Sequence, residues 1–130
     1  MRATIVVALV AVVCVLVPSC SRPKAAAPAA IEQPARQFVE LLAKADFQRA
    51  SQRFDDTMRQ ALPADKLQQA WDSLVQQFGA FQRIAGVRTT QEQGYDVAYV
   101  RCEFANGATE AKIVFDRNQR ISGLWFGPAK

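Results

Sequence analysis

The chain has 130 residues, half of them hydrophobic and 22% charged, which is enough for one small domain. It contains no histidine and only three dispersed cysteines, so clustered metal ligands of the zinc type are missing. The net charge of +4 is spread over interspersed residues of both signs with no basic block, which argues against nucleic acid as a partner.

Met1-Arg2 makes a short positive start, Thr4 to Val17 is apolar, and Pro18-Ser19-Cys20 follows, the layout of a secretory signal. The run is shorter than the ~20 residues that a membrane-spanning helix needs. Val17-Pro18-Ser19-Cys20 resembles a bacterial lipobox, an aliphatic and two mostly small residues ahead of a cysteine; Pro18 departs from the usual small residue. The resemblance implies a lipoprotein signal peptide over residues 1–19 and acylation of Cys20, palmitate included. It also implies a membrane-anchored lipoprotein facing the periplasm or the cell exterior. The other reading is ordinary cleavage nearby that removes Cys20 or leaves it a free thiol. Several acyl chains anchor far better than one, since each buried CH₂ adds about 0.8 kcal/mol. Cys14 lies in the leader, so Cys102 is the lone domain cysteine and no intrachain disulfide is expected. Once Arg2 leaves, 15 basic residues face 12 acidic ones, a net charge of +3.

Residues 20–33 are expected to form a tether: SRPKAAAPAA has two prolines, small residues and no apolar period. Extended at ~3 Å per residue, that stretch reaches roughly 30 Å. The domain proper is expected over residues 34–130. Its first helix spans Pro34 to Ala45 with Ala35, Phe38, Leu41, Leu42 and Ala45 inward. Asp46 reads as the cap of a short helix carrying Phe47, Ala50 and Phe54, and Asp55-Asp56 as the cap of another carrying Met58, Ala61 and Leu62. The longest amphipathic stretch is Leu62 to Phe81, with Leu67, Ala70, Trp71, Leu74, Val75 and Phe78 on one stripe. Pro63 suits its first position and Gly79 its end.

After Phe81 the period shortens to two. Strands are expected over Ile84–Thr90, Tyr95–Phe104, Thr109–Phe115 and Ile121–Phe126, with turns at Glu92-Gln93-Gly94, Asn106-Gly107 and Asp116–Gln119. Helices followed by an antiparallel meander describe an α+β domain, the helices packed on one face of a curved antiparallel sheet of about four strands. Alternation assigns Ala98, Val100, Cys102, Phe104, Ala111, Ile113, Phe115, Leu124 and Phe126 to the helix-facing core, with Phe38, Phe47, Phe54, Trp71 and Phe78. Cys102 is then a small buried hydrophobe rather than a nucleophile.

Several residues carry a resemblance: Asp46, Phe47, Ala50 and Phe54; Leu62, Pro63, Leu67, Trp71, Leu74, Gly79 and Phe81; and Phe115, Asp116, Ile121, Gly123, Leu124 and Phe126. Over Pro34 to Pro128 the chain resembles a family of bacterial exported domains of unknown function, found alone behind a lipoprotein signal or ahead of an α/β-hydrolase domain. The resemblance implies a cone-shaped α+β fold, nuclear transport factor two-like or cystatin-like, and an accessory role. It carries over no catalytic residue.

Members of such cone-shaped folds often hold a pocket lined by Asp, His or Tyr. Here Asp96, at the start of its strand beside Tyr95, is the candidate at the cone mouth, either as a base of raised pKa or as a solvated turn residue. The chain has no nucleophile elbow, phosphate-binding glycine loop or metal-ligand spacing, so an enzyme is not expected, nor a cofactor. The other sheet face should carry Tyr95, Val97, Tyr99, Arg101, Glu103, Lys112, Val114, Gly123 and Trp125. Of these, Val97, Tyr99, Arg101, Val114 and Trp125 form a candidate contact surface for a second copy or an envelope protein. The plainer account is cross-strand packing, with Tyr99 leaning over Gly123. The expected function is a non-catalytic, lipid-anchored binding module of the cell envelope. The alternative is a small-molecule carrier or isomerase/dehydratase-like enzyme using the interior of the cone.

Overall fold

A computed structural model describes residues 27–130. The signal peptide of residues 1–19, Cys20 and the tether up to residue 26 lie outside the described residues. Four helices precede four strands: α1 (Ala27–Ala43), α2 (Phe47–Ser51), α3 (Asp56–Ala61), α4 (Ala64–Phe78), β1 (Phe81–Glu92), β2 (Tyr95–Phe104), β3 (Gly107–Phe115) and β4 (Ile121–Pro128). The strands form one antiparallel sheet in the order β1-β2-β3-β4.

The first helix begins seven residues before the expected Pro34, so residues 27–33 belong to it and not to the tether. Ile31 explains the extension. It lies one turn ahead of Ala35, and Ile31, Ala35, Phe38, Val39 and Leu42 form one fully buried stripe. Pro34 sits inside the helix, where it can donate no bond to the preceding turn. The helix ends at Ala43, and two residues on Ala45 adopts φ +59° while its N–H and that of Asp46 donate to the Leu42 and Leu41 carbonyls. That is a Schellman ending with alanine in the usual glycine position. It delivers Asp46 to cap α2, accepting from the Arg49 N–H at 3.3 Å. Asp55 caps α3 through the Met58 N–H at 2.8 Å. Pro63 is the N-cap of α4 rather than its first residue, its carbonyl accepting from Leu67.

Trp71 is 5% exposed and joins helix to sheet, its ring 5.6 Å from Phe81 and Phe104 and 6.3 Å from Phe126. Phe81, expected in the helical stretch, is the first residue of β1. Gly79 takes φ +82° to end α4, and a side chain there would meet Ala105 at 2.9 Å. The β2–β3 turn docks on this helix end: the Asn106 and Ala105 N–H groups donate to the Phe78 and Ala80 carbonyls. Its two central residues are Ala105 and Asn106, with Gly107 already paired to Phe104. Gly107 is glycine for space, since a Cβ would lie 2.7 Å from the Phe78 ring.

The inner face holds Ala98, Val100, Cys102, Phe104, Ala111, Ile113 and Phe115, all buried, with Leu124 and Phe126 packed against them. A bulge at Ser122 lets Ile121 join that face without reversing Gly123 and Trp125. The Phe54–Ile121 bridge ties the α2–α3 connection to the start of edge strand β4.

The expected curved sheet and cone are overturned. The sheet is open, with β1 and β4 as separate edges, and is neither closed nor strongly curled, so it is not a nuclear transport factor two-like or cystatin-like shell. Strong curvature needs bulges along the strands. Here the register shifts fall only at the start of β1 and beside the β3–β4 turn, while β2–β3 runs without interruption. What is corrected is the shape: there is no closed cone for a ligand to occupy. No helix among the described residues is long and apolar enough to cross a membrane.

Two outcomes test this packing. Trp71→Ala should lower unfolding free energy by about 3–5 kcal/mol, as for large aromatic truncations in a core, measured by urea denaturation. Burial pushes the Cys102 thiol up to about 12, so at pH 8 the Cys102 peptide should stay unalkylated in the native protein and react only after denaturation.

Candidate contact surface

The outer face of the sheet is covered by none of the four helices, and its composition follows from the strand registers. The two-residue turn at Gln93 (φ +51°) and Gly94 (φ +80°) pairs Glu92 with Tyr95, and this fixes Arg88 opposite Tyr99. Tyr99 in turn faces Lys112, and Lys112 faces Trp125. One row across all four strands therefore reads Arg88, Tyr99, Lys112, Trp125, alternating cation and aromatic ring. The Arg88 guanidinium lies 4.1 Å from the Tyr99 ring centre, and the Lys112 ammonium 5.7 and 5.9 Å from the Tyr99 and Trp125 rings. Contacts of this kind draw a cation toward the ring face by electrostatic attraction, weakly where water reaches them.

Glu92 ties the row together. Its carboxylate accepts from the Lys112 ammonium at 2.7 Å and from the Tyr99 hydroxyl. The Lys112 hydrogen bond, then that of Tyr99, holds Glu92 below the usual carboxylate range. The same carboxylate raises the Tyr99 phenol and the Lys112 ammonium above their ordinary values. At neutral pH the set is therefore an anionic Glu92, a cationic Lys112 and a neutral Tyr99, each satisfied by the others. None is poised to exchange a proton near pH 7. Arg88 also reaches Glu110 at 3.4 Å, and Arg83 pairs with Glu103 at 2.6 Å.

Above the next row, Trp125 folds back over Gly123, where a Cβ would come within 2.5 Å of the indole. Trp125, not Tyr99, is the ring that leans on this glycine. It remains 58% exposed, and Tyr95 is 49% exposed. Between them lies a concavity of about 290 Å³ lined by Val97, Val114, Glu92 and Lys112 as well.

The structure places the candidate residues unevenly. Tyr99, Val114 and Trp125 share the face as expected. Val97 is 1% exposed, shielded by its neighbours, and serves as floor rather than contact. Arg101 lies at the margin, its guanidinium donating to the Lys130 carbonyl at 3.1 Å. Tyr95 and Asp96 form no rim. As successive strand residues they point to opposite faces, and Asp96 accepts from the Gln91 amide at 3.0 Å. The missed members are Arg88, Glu92 and Glu110; carrying the alternation across the Gln93-Gly94 hairpin would have found the first two. Among the described residues, no group of three or more potential ligand side chains is arranged to hold a metal ion.

Residues 35–124 match the model of a family described as "Protein of unknown function (DUF3887)". The chain belongs to that family. This DUF3887 domain is also similar to Esterase EstD of Thermotoga maritima, with 28% identity over 100 residues. That alignment covers 77% of this chain but 24% of the esterase, so the chain spans about a quarter of that relative's length. No solved structure matches. What the comparisons support is a domain of unknown function with partial similarity to an esterase; the cone is not part of it.

The hydrogen-bond arrangement fixes the direction of one titration. An anionic acceptor favours the protonated phenol, so Tyr99 should ionise above the usual tyrosine value. In a Tyr95→Phe background, which leaves Tyr99 as the one tyrosine, Glu92→Gln should bring its ionisation down toward that value. Absorbance at 295 nm against pH reads the change, and an unchanged midpoint contradicts the network.

Proposed function

We propose that this DUF3887 protein is a non-catalytic binding module, anchored by lipid at Cys20 in the cell envelope and presenting its outer sheet face to a partner. The observation that carries the proposal is Trp125, an indole seated on Gly123 and left 58% exposed beside the half-exposed Tyr95 on an uncovered face. Exposed aromatics flanking an aliphatic floor are the usual composition of contact hot spots. The ion pairs around them give such a contact a polar rim.

Two points support the absence of catalysis. The chain has no histidine, and the ionisable groups of the face are held in their ordinary charge states by each other. The esterase name belongs to a relative of which this chain matches 24%. The anchor rests on the lipobox resemblance at Val17–Cys20, and the partner is a second copy of the chain or another envelope protein.

Intact-mass measurement of the native protein should give a chain beginning at Cys20 with added acyl mass; an unmodified chain refutes the anchor. Replacing Tyr95 and Trp125 together by alanine should weaken self-association in sedimentation and reduce co-purification with envelope proteins, at unchanged circular dichroism. Identical behaviour of wild type and variant refutes the contact surface.

A further inference from the structure

The inner side of the sheet is closed on one flank and open on the other. Helix α1 lies close on β1 and β2. Helix α4 is held off the sheet by aromatic rings, chiefly Trp71 against Phe81, Phe104 and Phe126. Two turns beyond Trp71 the spacer is Phe78, whose ring packs on Phe104 of β2 at 6.1 Å. On the β3–β4 side the residues beside it are Thr109 and its partner Pro128. The outcome is a cavity of about 280 Å³ between Leu74, Gln77 and Phe78 of α4 and Thr109, Phe126, Gly127 and Pro128 of the sheet.

Two properties of this cavity are chemical. Thr109 is 2% exposed, and its hydroxyl has no hydrogen-bond partner. A buried orphan of this kind calls for an explanation. Thr109 lies on β3, inboard of edge strand β4, and is buried, while Gln77 on α4 is exposed. None of the seven lining residues carries a charge, so a carboxylate or ammonium would enter without compensation for its lost hydration.

We infer that this crevice is a binding site for a small, neutral, mainly aliphatic molecule bearing one carbonyl oxygen, which accepts from the Thr109 hydroxyl. At ~30 Å³ for a water-sized group, the volume holds roughly nine such groups. That is the size of a medium-chain ketone or ester. Leu74, Phe78, Phe126 and Pro128 supply the apolar walls and Thr109 selects for the acceptor. The site lies on the opposite face from Trp125 and is independent of the contact surface.

The test uses the ¹⁵N-labelled full chain titrated with 2-octanone, followed by amide chemical shifts. Saturable shifts are expected at Leu74, Phe78, Thr109 and Phe126, with n-octane binding at least about tenfold more weakly and octanoate not binding. Thr109→Val, which keeps the shape, should weaken 2-octanone about tenfold and leave octane unchanged; Thr109→Ser should restore the preference. Leu74→Trp, which fills the crevice, should abolish both. Shifts that do not saturate, that map elsewhere, or that are the same in Thr109→Val overturn the inference. So does concentration-dependent self-association through these residues, because the crevice would then belong to a second copy.

Discussion

The stacking of Trp71 against three phenylalanines is the contact on which the arrangement depends. It comes from one residue on an amphipathic helix and reaches the first residue of β1, the last of β2 and the middle of β4. Those positions are far apart in sequence, so the indole fixes how α4 sits against both edges of the meander. The end of the helix is then pinned a second time, by the β2–β3 turn donating to the Phe78 and Ala80 carbonyls. Gly79 and Gly107 permit this approach, because a side chain at either would intrude on its neighbour. An aromatic pillar also has a thickness. Phe78 continues it onto Phe104 of β2, and on the β3–β4 side a crevice remains beside Thr109.

The sheet separates two kinds of chemistry by parity alone. Inward positions of β2 and β3 carry alanine, valine, cysteine, isoleucine and phenylalanine, with Asp96 and Thr109 as the polar exceptions, and the apolar ones close over Phe38, Phe54 and Leu67. Outward positions carry rings and charges arranged in register, so that Arg83, Arg88 and Lys112 each have a ring or a carboxylate within reach. Exposed ion pairs contribute little individually. Their role here is orientation: Glu92 holds Lys112 and Tyr99 together, and Lys112 flanks the indole of Trp125. The face is ordered by its own contacts, and a surface ordered in this way would lose less entropy in the proposed contact.

Much of this was readable in the sequence. The caps at Asp46 and Asp55, the long helix around Trp71, the four strands and both faces of β2 follow from local period and turn chemistry, which act over a few residues. Failures came where non-local geometry decides. The start of α1 depends on whether Ile31 finds a core to enter, which the Pro/Ala composition around it conceals. Asn106-Gly107 reads as a hairpin pair, but Gly107 is there for the Phe78 ring rather than for its backbone angle. Sheet curvature is a property of the whole ladder, and the cone came from a resemblance, not from any residue that would bend a strand. Arg88 and Glu92 entered the outer face through cross-strand register, which depends on the placement of one turn.

The glycine beneath Trp125 bears on how the outer face should be understood. If the indole served only to cover its own sheet, a residue with a side chain at 123 would fill the same surface with less exposed apolar area. Instead position 123 has no side chain, the ring drops onto the backbone, and more than half of it still faces solvent. The neighbouring valines are already shielded: Val97 is buried and Val114 half-buried. Trp125 therefore adds modest burial to its own fold while keeping a rigid, pre-placed ring at the surface. A ring in that situation can be covered by a partner at small cost in side-chain freedom. Its removal should accordingly affect the proposed contact far more than folding, and in this respect Trp125 differs from Trp71.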